Sequence, residues 1–324
     1  MPNARDALVE VESSGTPISG QQLTANVDRT RFESNDGLWS RRAGSEPAVL
    51  PDGLINGGEI VATAANNQVS VTASMVNLSG LERAVTANNA LTVARPITDP
   101  VLIHSITVNS SGDYEVVSGS EGTTITETRG ATGGPPFIPV GSIEVGQVRL
   151  NGTAAAPVSA AEIFTAPGIH RERFDFPAFN IDFLEGAVDF SSELPQIHVG
   201  NETKQVFASY TTAVFTALPN ASNFVPAEES VSVNSEQVYG NTVASTNVTL
   251  NQGSFDVLLN NGLTDLIVQL RGQNLWFRFR QSRFQPANYV VQGILGIARQ
   301  FPADNNISSS CTISPEVAGQ ERSS

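Results

Sequence analysis

The 324-residue sequence predicts a mainly β protein, and three observations carry that prediction. Ser, Thr, Asn, Gly and Val are abundant, a mix that favours strands and turns over helices. Apolar residues recur at every second position in one segment after another. Gly, Pro, Asn and Asp punctuate those segments at close intervals. With 40% hydrophobic and only 15% charged residues, the chain has material for a core and lacks the composition of a disordered protein. Its length suits one large β domain or two ordinary ones.

Residues 1–46 are polar, with little periodicity and the pair Arg41-Arg42, and read as an N-terminal arm. Residues 47–150 read as a β-rich domain. NQVSVTASMVNL (67–78) alternates at Val69, Val71, Ala73 and Met75. VLIHSITVNSSGDYEVVSG (101–119) reads as a hairpin turning at 110–113, and SIEVGQVRL (142–150) as another strand. Between them, RGATGGPPFIP (129–139) is a Gly/Pro loop explained by turn geometry. Residues 151–168 are small, with two prolines, and read as an inter-domain linker; Ser159 and Glu162 fit a capping box for one short helical turn.

Residues 169–324 form the second domain. FNIDFLEGAVDF (179–190), KQVFASYTTAVFTAL (204–218), ESVSVNSEQVYG (229–240) and STNVTLNQG (245–253) are strand candidates. In SFDVLLNNGLTDLIVQLRG (254–272), Thr264 can cap a short helix carrying Leu266, Ile267 and Leu270 and ending at Gly272. A buried strand fits so short a run equally well. NLWFRFRQSRFQP (274–286) places Leu275, Phe277 and Phe279 on one strand face and Trp276, Arg278 and Arg280 on the other. ANYVVQGILGIARQF (287–301) is a strand in which Gly293 and Gly296 allow a bend. The last strand, ISSSCTISPEVAG (307–319), points Ile307, Ser309, Cys311 and Ile313 one way.

Few residues invite chemistry. His104, His170 and His198 have no His or Cys at metal-ligand spacing, and the single cysteine, Cys311, makes no internal disulfide. The loop at 129–139 lacks the Lys-Ser/Thr of a phosphate loop. Asp182, Glu185 and Asp189 are spaced like calcium ligands but do not match an EF-hand, and strand alternation explains them as well. No catalytic motif stands out, and no cofactor or metal is expected. No apolar run reaches 18 residues and no apolar leader opens the chain, so no membrane anchor is expected.

The charge layout says more. The net charge is −14. From 174 to 270 there are 11 acids against one base, Lys204, whereas from 271 to 303 there are five arginines and no acid. Such acidity around the arginines would repel phosphate, which argues against a nucleic-acid patch. Arg271, Arg278, Arg280, Arg283 and Arg299 are better suited to pairing with carboxylates. Those carboxylates belong either to the same chain or to an identical neighbour, which makes these arginines candidates for a subunit interface.

The segment NYVVQGILGIARQFPADNNISSSCTISPEVAG (288–319) resembles the closing segment of the major tail proteins, the tail-tube subunits of long-tailed bacteriophages. Gly293, Ile297, Pro302, Asp304, Ser308 to Ser310 and Gly319 occupy the matching places. FNIDFLEGAVDF and SFDVLLNNGLTDLIVQLRG are similar to an early strand and to the helix-bearing connection of the same domain. The resemblance covers 169–319. It implies a tail-tube-like β-sandwich or barrel with one short helix, beside an N-terminal domain at 47–150 that is either a second tube-like domain or a decoration. It further implies a virion structural protein, made in the host cytoplasm and located in the tail. Copies would self-assemble into stacked rings around a conduit through which DNA passes without specific binding. Two tube-like domains would make the ring a trimer, one a hexamer. Tail-tip, tape-measure and tail-terminator proteins would be its further partners. Asp182, Glu185, Asp189, Glu228 and Glu229 become candidates for an acidic lumen or for the interface. The rival reading is a β-rich adhesin or carbohydrate-binding surface protein of a virion; an enzyme such as a glycoside hydrolase is a third.

Overall fold

A computed structural model describes residues 4–165, 176–239 and 241–323. Among these residues the fold is mainly β: antiparallel sheets with one short α-helix, Leu266–Gln269. The chain divides into two compact units, one of residues 1–17, 38–46 and 210–324, the other of residues 18–37 and 47–209.

The first unit is built on one large antiparallel sheet. Its strands run in the order Ala221–Val225, Gly253–Leu258, Ser308–Pro315, Ala287–Gln300 and Asn274–Arg280, followed by residues 8–17 and 210–217. Gln320–Ser323 pairs alongside the start of Ala287–Gln300. Alternation turns Leu275, Phe277, Val291, Leu295, Cys311, Ile313, Phe255 and Val257 into a common core. The helix adds Ile267 and Leu270 to that core, begins at Asp265 rather than Thr264, and is followed by Gly272 at φ 76°.

Gly293 and Gly296 are not at positive φ. Each faces a neighbouring strand so closely that a Cβ would come within 2.6 Å of the Ser314 carbonyl oxygen or 2.3 Å of Thr312 Oγ1. Close approach, rather than a bend, explains these two glycines.

The second unit consists of smaller sheets. In its central pair, Val101–Val108 and Ile143–Asn151, almost every residue is buried. One face carries Ile106, Val108, Val148 and Leu150 into an apolar core with Val69, Val71, Val76 and Leu78. The other face is polar. Glu144 accepts hydrogen bonds from Ser105 and Arg129 and from Gln147 at 3.2 Å, and Arg149 binds Gln147 at 3.1 Å and Glu127 at 2.6 Å. Arg129 belongs to the glycine-proline loop, which therefore satisfies a buried carboxylate as well as turning the chain.

The domain boundaries expected from composition do not coincide with these units. Residues 8–17 are a strand beside Asn274–Arg280, with Val9 and Val11 buried, not a peripheral arm. Trp39 is fully buried and stacks on Tyr210 at 4.3 Å, whereas Phe32 lies in the core of the other unit. A few apolar side chains in a polar stretch are enough, because each fills a site made by distant residues. The segment expected as a linker is likewise structural in its described part. Val158 is buried, Ile163–Phe164 pairs with Gln147 and Val148, and the Ser159 N–H donates to Glu162 at 2.9 Å, which also binds Arg95 at 3.0 Å. Its remainder, 166–168, lies outside the described residues, as do His170 and Asp175.

Candidate assembly surface

The strand Asn274–Arg280 carries three of the aromatic residues and two of the arginines that make this stretch unusual. Leu275 and Phe277 are fully buried and Phe279 packs at the edge of the core, as alternation predicts. The opposite face is not a free basic stripe. Trp276 is buried; its backbone N–H donates to Glu12 Oε2 at 3.1 Å and its indole Nε1 to the Trp39 carbonyl at 2.7 Å. Glu10 stands directly across from Arg278 in the strand register. Its Oε2 accepts from Arg278 Nε at 2.5 Å and from Arg280 Nε at 3.3 Å, and the Arg278 guanidinium covers the Phe215 ring at 4.3 Å.

The other three arginines are exposed. Arg283 donates to the Arg5 carbonyl at 3.3 Å, and Arg299 to the Gly262 carbonyl at 2.6 Å. Both bind carbonyls, the Arg299 guanidinium also stands over the Phe301 ring at 5.7 Å, and neither is paired with a carboxylate among the described residues. The Arg271 side chain makes no hydrogen bond or ion pair to any described residue; its backbone N–H donates to the Val268 carbonyl at 3.4 Å. The cluster is thus split: Arg278 and Arg280 are tied to Glu10, and Arg271, Arg283 and Arg299 face solvent.

The acidic candidates are split as well. Asp182 and Asp189 belong to the second unit, where both bind Arg31, at 3.0 and 2.9 Å; Glu33 joins them at 2.8 Å. Asp182 also accepts the backbone N–H groups of Leu184 and Glu185 at 3.1 Å each, which closes the turn between two strands. Glu185 is exposed. Glu228 and Glu229 are exposed and belong to the first unit. The acid count along the sequence ran across both units, so it does not describe one surface.

Buried titratable groups have structural partners. His104 donates from Nε2 to the Ala94 carbonyl at 2.7 Å, and burial lowers its pKa; His198 donates likewise to Ser142 at 2.9 Å. Burial raises the Cys311 thiol. Among the described residues no group of three or more His, Cys, Asp or Glu side chains is placed to hold a metal ion. No helix among them is long and apolar enough to cross a membrane.

The feature not foreseen is the hairpin formed by Glu229–Val238 and Asn241–Leu250. Ten residue pairs join these strands, and the two form a sheet of their own. Register and alternation put Val231, Val233, Ala244, Thr246, Val248 and Leu250 on one face, with Glu229, Ser235 and Gln237 toward its ends, and Ser230, Ser232, Asn234, Ser245, Asn247 and Thr249 on the other. The apolar face is open to solvent: Val231 and Val233 are each 63% exposed and Val248 is 52% exposed. Tyr239, at the turn, is fully exposed. Its signal was in the sequence: alternation at Val231 and Val233 before Tyr239-Gly240 and at Ala244, Thr246, Val248 and Leu250 after it, with only Glu229 and Glu236 charged in 22 residues. Sequence could locate both strands but not the lack of a covering layer.

Comparison with protein-family models, with curated proteins and with solved structures finds no match to this chain.

Proposed function

We propose that the chain is a structural subunit that assembles with copies of itself, of the kind that builds the tail tube of long-tailed bacteriophages. The observation that carries this reading is the hairpin with its uncovered apolar face. A two-stranded ribbon alone is marginal in water, and an exposed apolar stripe on a ribbon is a surface for a partner. Its outer edges also offer unpaired backbone groups. A second copy covers both if the ribbon of one subunit docks on a different patch of the next. Such head-to-tail contacts close into rings or stack into tubes. Arg271, Arg283 and Arg299, exposed and not paired with a carboxylate among the described residues, supply charge for that contact.

The net charge of −14 supports a conduit that DNA crosses without sticking, because carboxylates facing phosphates release no counterions. The two units differ in architecture, one large sheet against several small ones. That favours one tube-forming unit with a decoration, and hence six copies in a ring. Tail-tip, tape-measure and tail-terminator proteins are the partners this role requires.

The test is electron microscopy of the purified protein beside a variant combining Val231→Lys with Val248→Glu. These residues face each other across the ribbon, so opposite charges preserve the pairing while removing the apolar face. Rings or tubes are expected from the parent, and monomers with an unchanged melting temperature from the variant. A parent that stays monomeric at high concentration refutes the reading.

A further inference from the structure

The first unit holds a concave site that no residue of the hairpin lines. It is a groove of about 660 Å³, within the range of ligand pockets. Its apolar side is aromatic. Phe224 and Phe279 stack nearly parallel, 4.6 Å between ring centres, and Tyr289 meets Phe224 edge-on at 5.9 Å. The Tyr289 hydroxyl is already committed, donating to the Ala227 carbonyl at 2.7 Å, so this residue offers its ring.

The polar side is different. Gln281, Gln285, Glu228 and Glu321 line the groove, and none of their side chains makes a hydrogen bond or ion pair to a described residue. Amides both donate and accept, and carboxylates accept bidentately, so the rim offers a converging set of unused partners for hydroxyl groups.

We propose that this groove binds a neutral saccharide. A pyranose presents an apolar C–H face, which suits an aromatic wall, and an edge of neighbouring hydroxyls, which suits planar amides and carboxylates. Charge excludes the obvious competitors. Two carboxylates line the groove against one arginine, Arg322, on a chain of net charge −14, so phosphates, nucleotides and acidic sugars are disfavoured. In an assembly of many subunits such sites would repeat, and weak single contacts would add to strong attachment. The site itself lies within one chain and does not rest on the assembly reading.

The experiment is an array of neutral and acidic oligosaccharides probed with the full chain, followed by saturation-transfer NMR and calorimetry on the hits. The same measurements are made on a variant combining Gln281→Ala with Gln285→Ala. Both residues are exposed, so the melting temperature should not change. Binding to neutral oligosaccharides is expected, weakened at least tenfold in the variant. The proposal is overturned by an array with no neutral hit, by a preference for acidic sugars, or by equal affinity of parent and variant. Closure of the groove by a second copy, seen as concentration-dependent loss of the Gln281 and Gln285 amide signals without sugar, overturns it as well. The array result and the comparison of parent with variant do not depend on whether the protein forms rings, so either idea can fail alone.

Discussion

Arg278 and Glu10 are ion-paired within one chain, Nε to Oε2 at 2.5 Å, across the two strands that join residues 8–11 to Asn274–Arg280. The pair is mostly buried, with side-chain exposures of 22% and 14%. It links one end of the sequence to the other, and the strand pairing around it holds residues 8–11 in the sheet.

Removing either partner should cost about 1–2 kcal/mol, between the values for exposed and for fully buried pairs. Urea denaturation of Glu10→Ala, Arg278→Ala and the double variant checks this. A coupling energy of about 1 kcal/mol is expected from the cycle. Additive effects would show that the pair contributes nothing. The same geometry makes Arg278→Glu a poor probe of assembly, since it damages the fold; Arg271→Glu, at an exposed arginine with no described partner, is the clean one.

Glu12 is buried beside Trp276 and Ser40, and burial raises its pKa even though Ser40, the Trp276 N–H and Arg42 act the other way. The folded state therefore holds this proton to higher pH than the unfolded state. Its contribution to stability is complete below the unfolded pKa and is lost as pH rises through the folded one. Glu12→Gln removes the titration. The stability of the variant relative to the parent should increase as pH rises above about 4.5, the ordinary value for this carboxyl. A single proton limits the slope to about 1.4 kcal/mol for each step of one in pH. Thermal melts of both proteins between about pH 4 and pH 8 span the window in which such a carboxyl titrates. A constant difference across that range would mean that Glu12 has no raised pKa.

Gly293 sits opposite Leu275, with its neighbour Ser314 too close for a side chain. Gly293→Ala should destabilise by about 1–3 kcal/mol through overpacking, although alanine is otherwise acceptable at an extended backbone position. Chemical denaturation reads the change. A neutral result would return this glycine to the bend that the sequence suggested.

Much of the strand content is legible in the sequence because its signal is local. The period of two in NLWFRFR placed Leu275 and Phe277 in the core, and the period of two in ISSSCTI placed Ser309, Cys311 and Ile313 on one buried face. The capping box at Ser159 and Glu162 was readable for the same reason. Where partners lie far apart in sequence, local pattern fails. Val101–Val108 shows no polar, exposed face, because its partner strand brings Glu144 and Gln147 beside it and a separate loop brings Arg129 to Glu144.

By itself, then, the sequence determined a mainly β chain, the places of many of its strands, and an acidic balance with little to suggest catalysis. Tertiary structure alone decided that residues 8–17 are an interior strand and that Arg278 and Arg280 serve Glu10. It also decided that Asp182 and Asp189 surround Arg31, and that one hairpin keeps its apolar face in water. The reason is physical: alternation fixes which way a side chain points along its own strand, but only the packing of distant segments determines what stands in front of it.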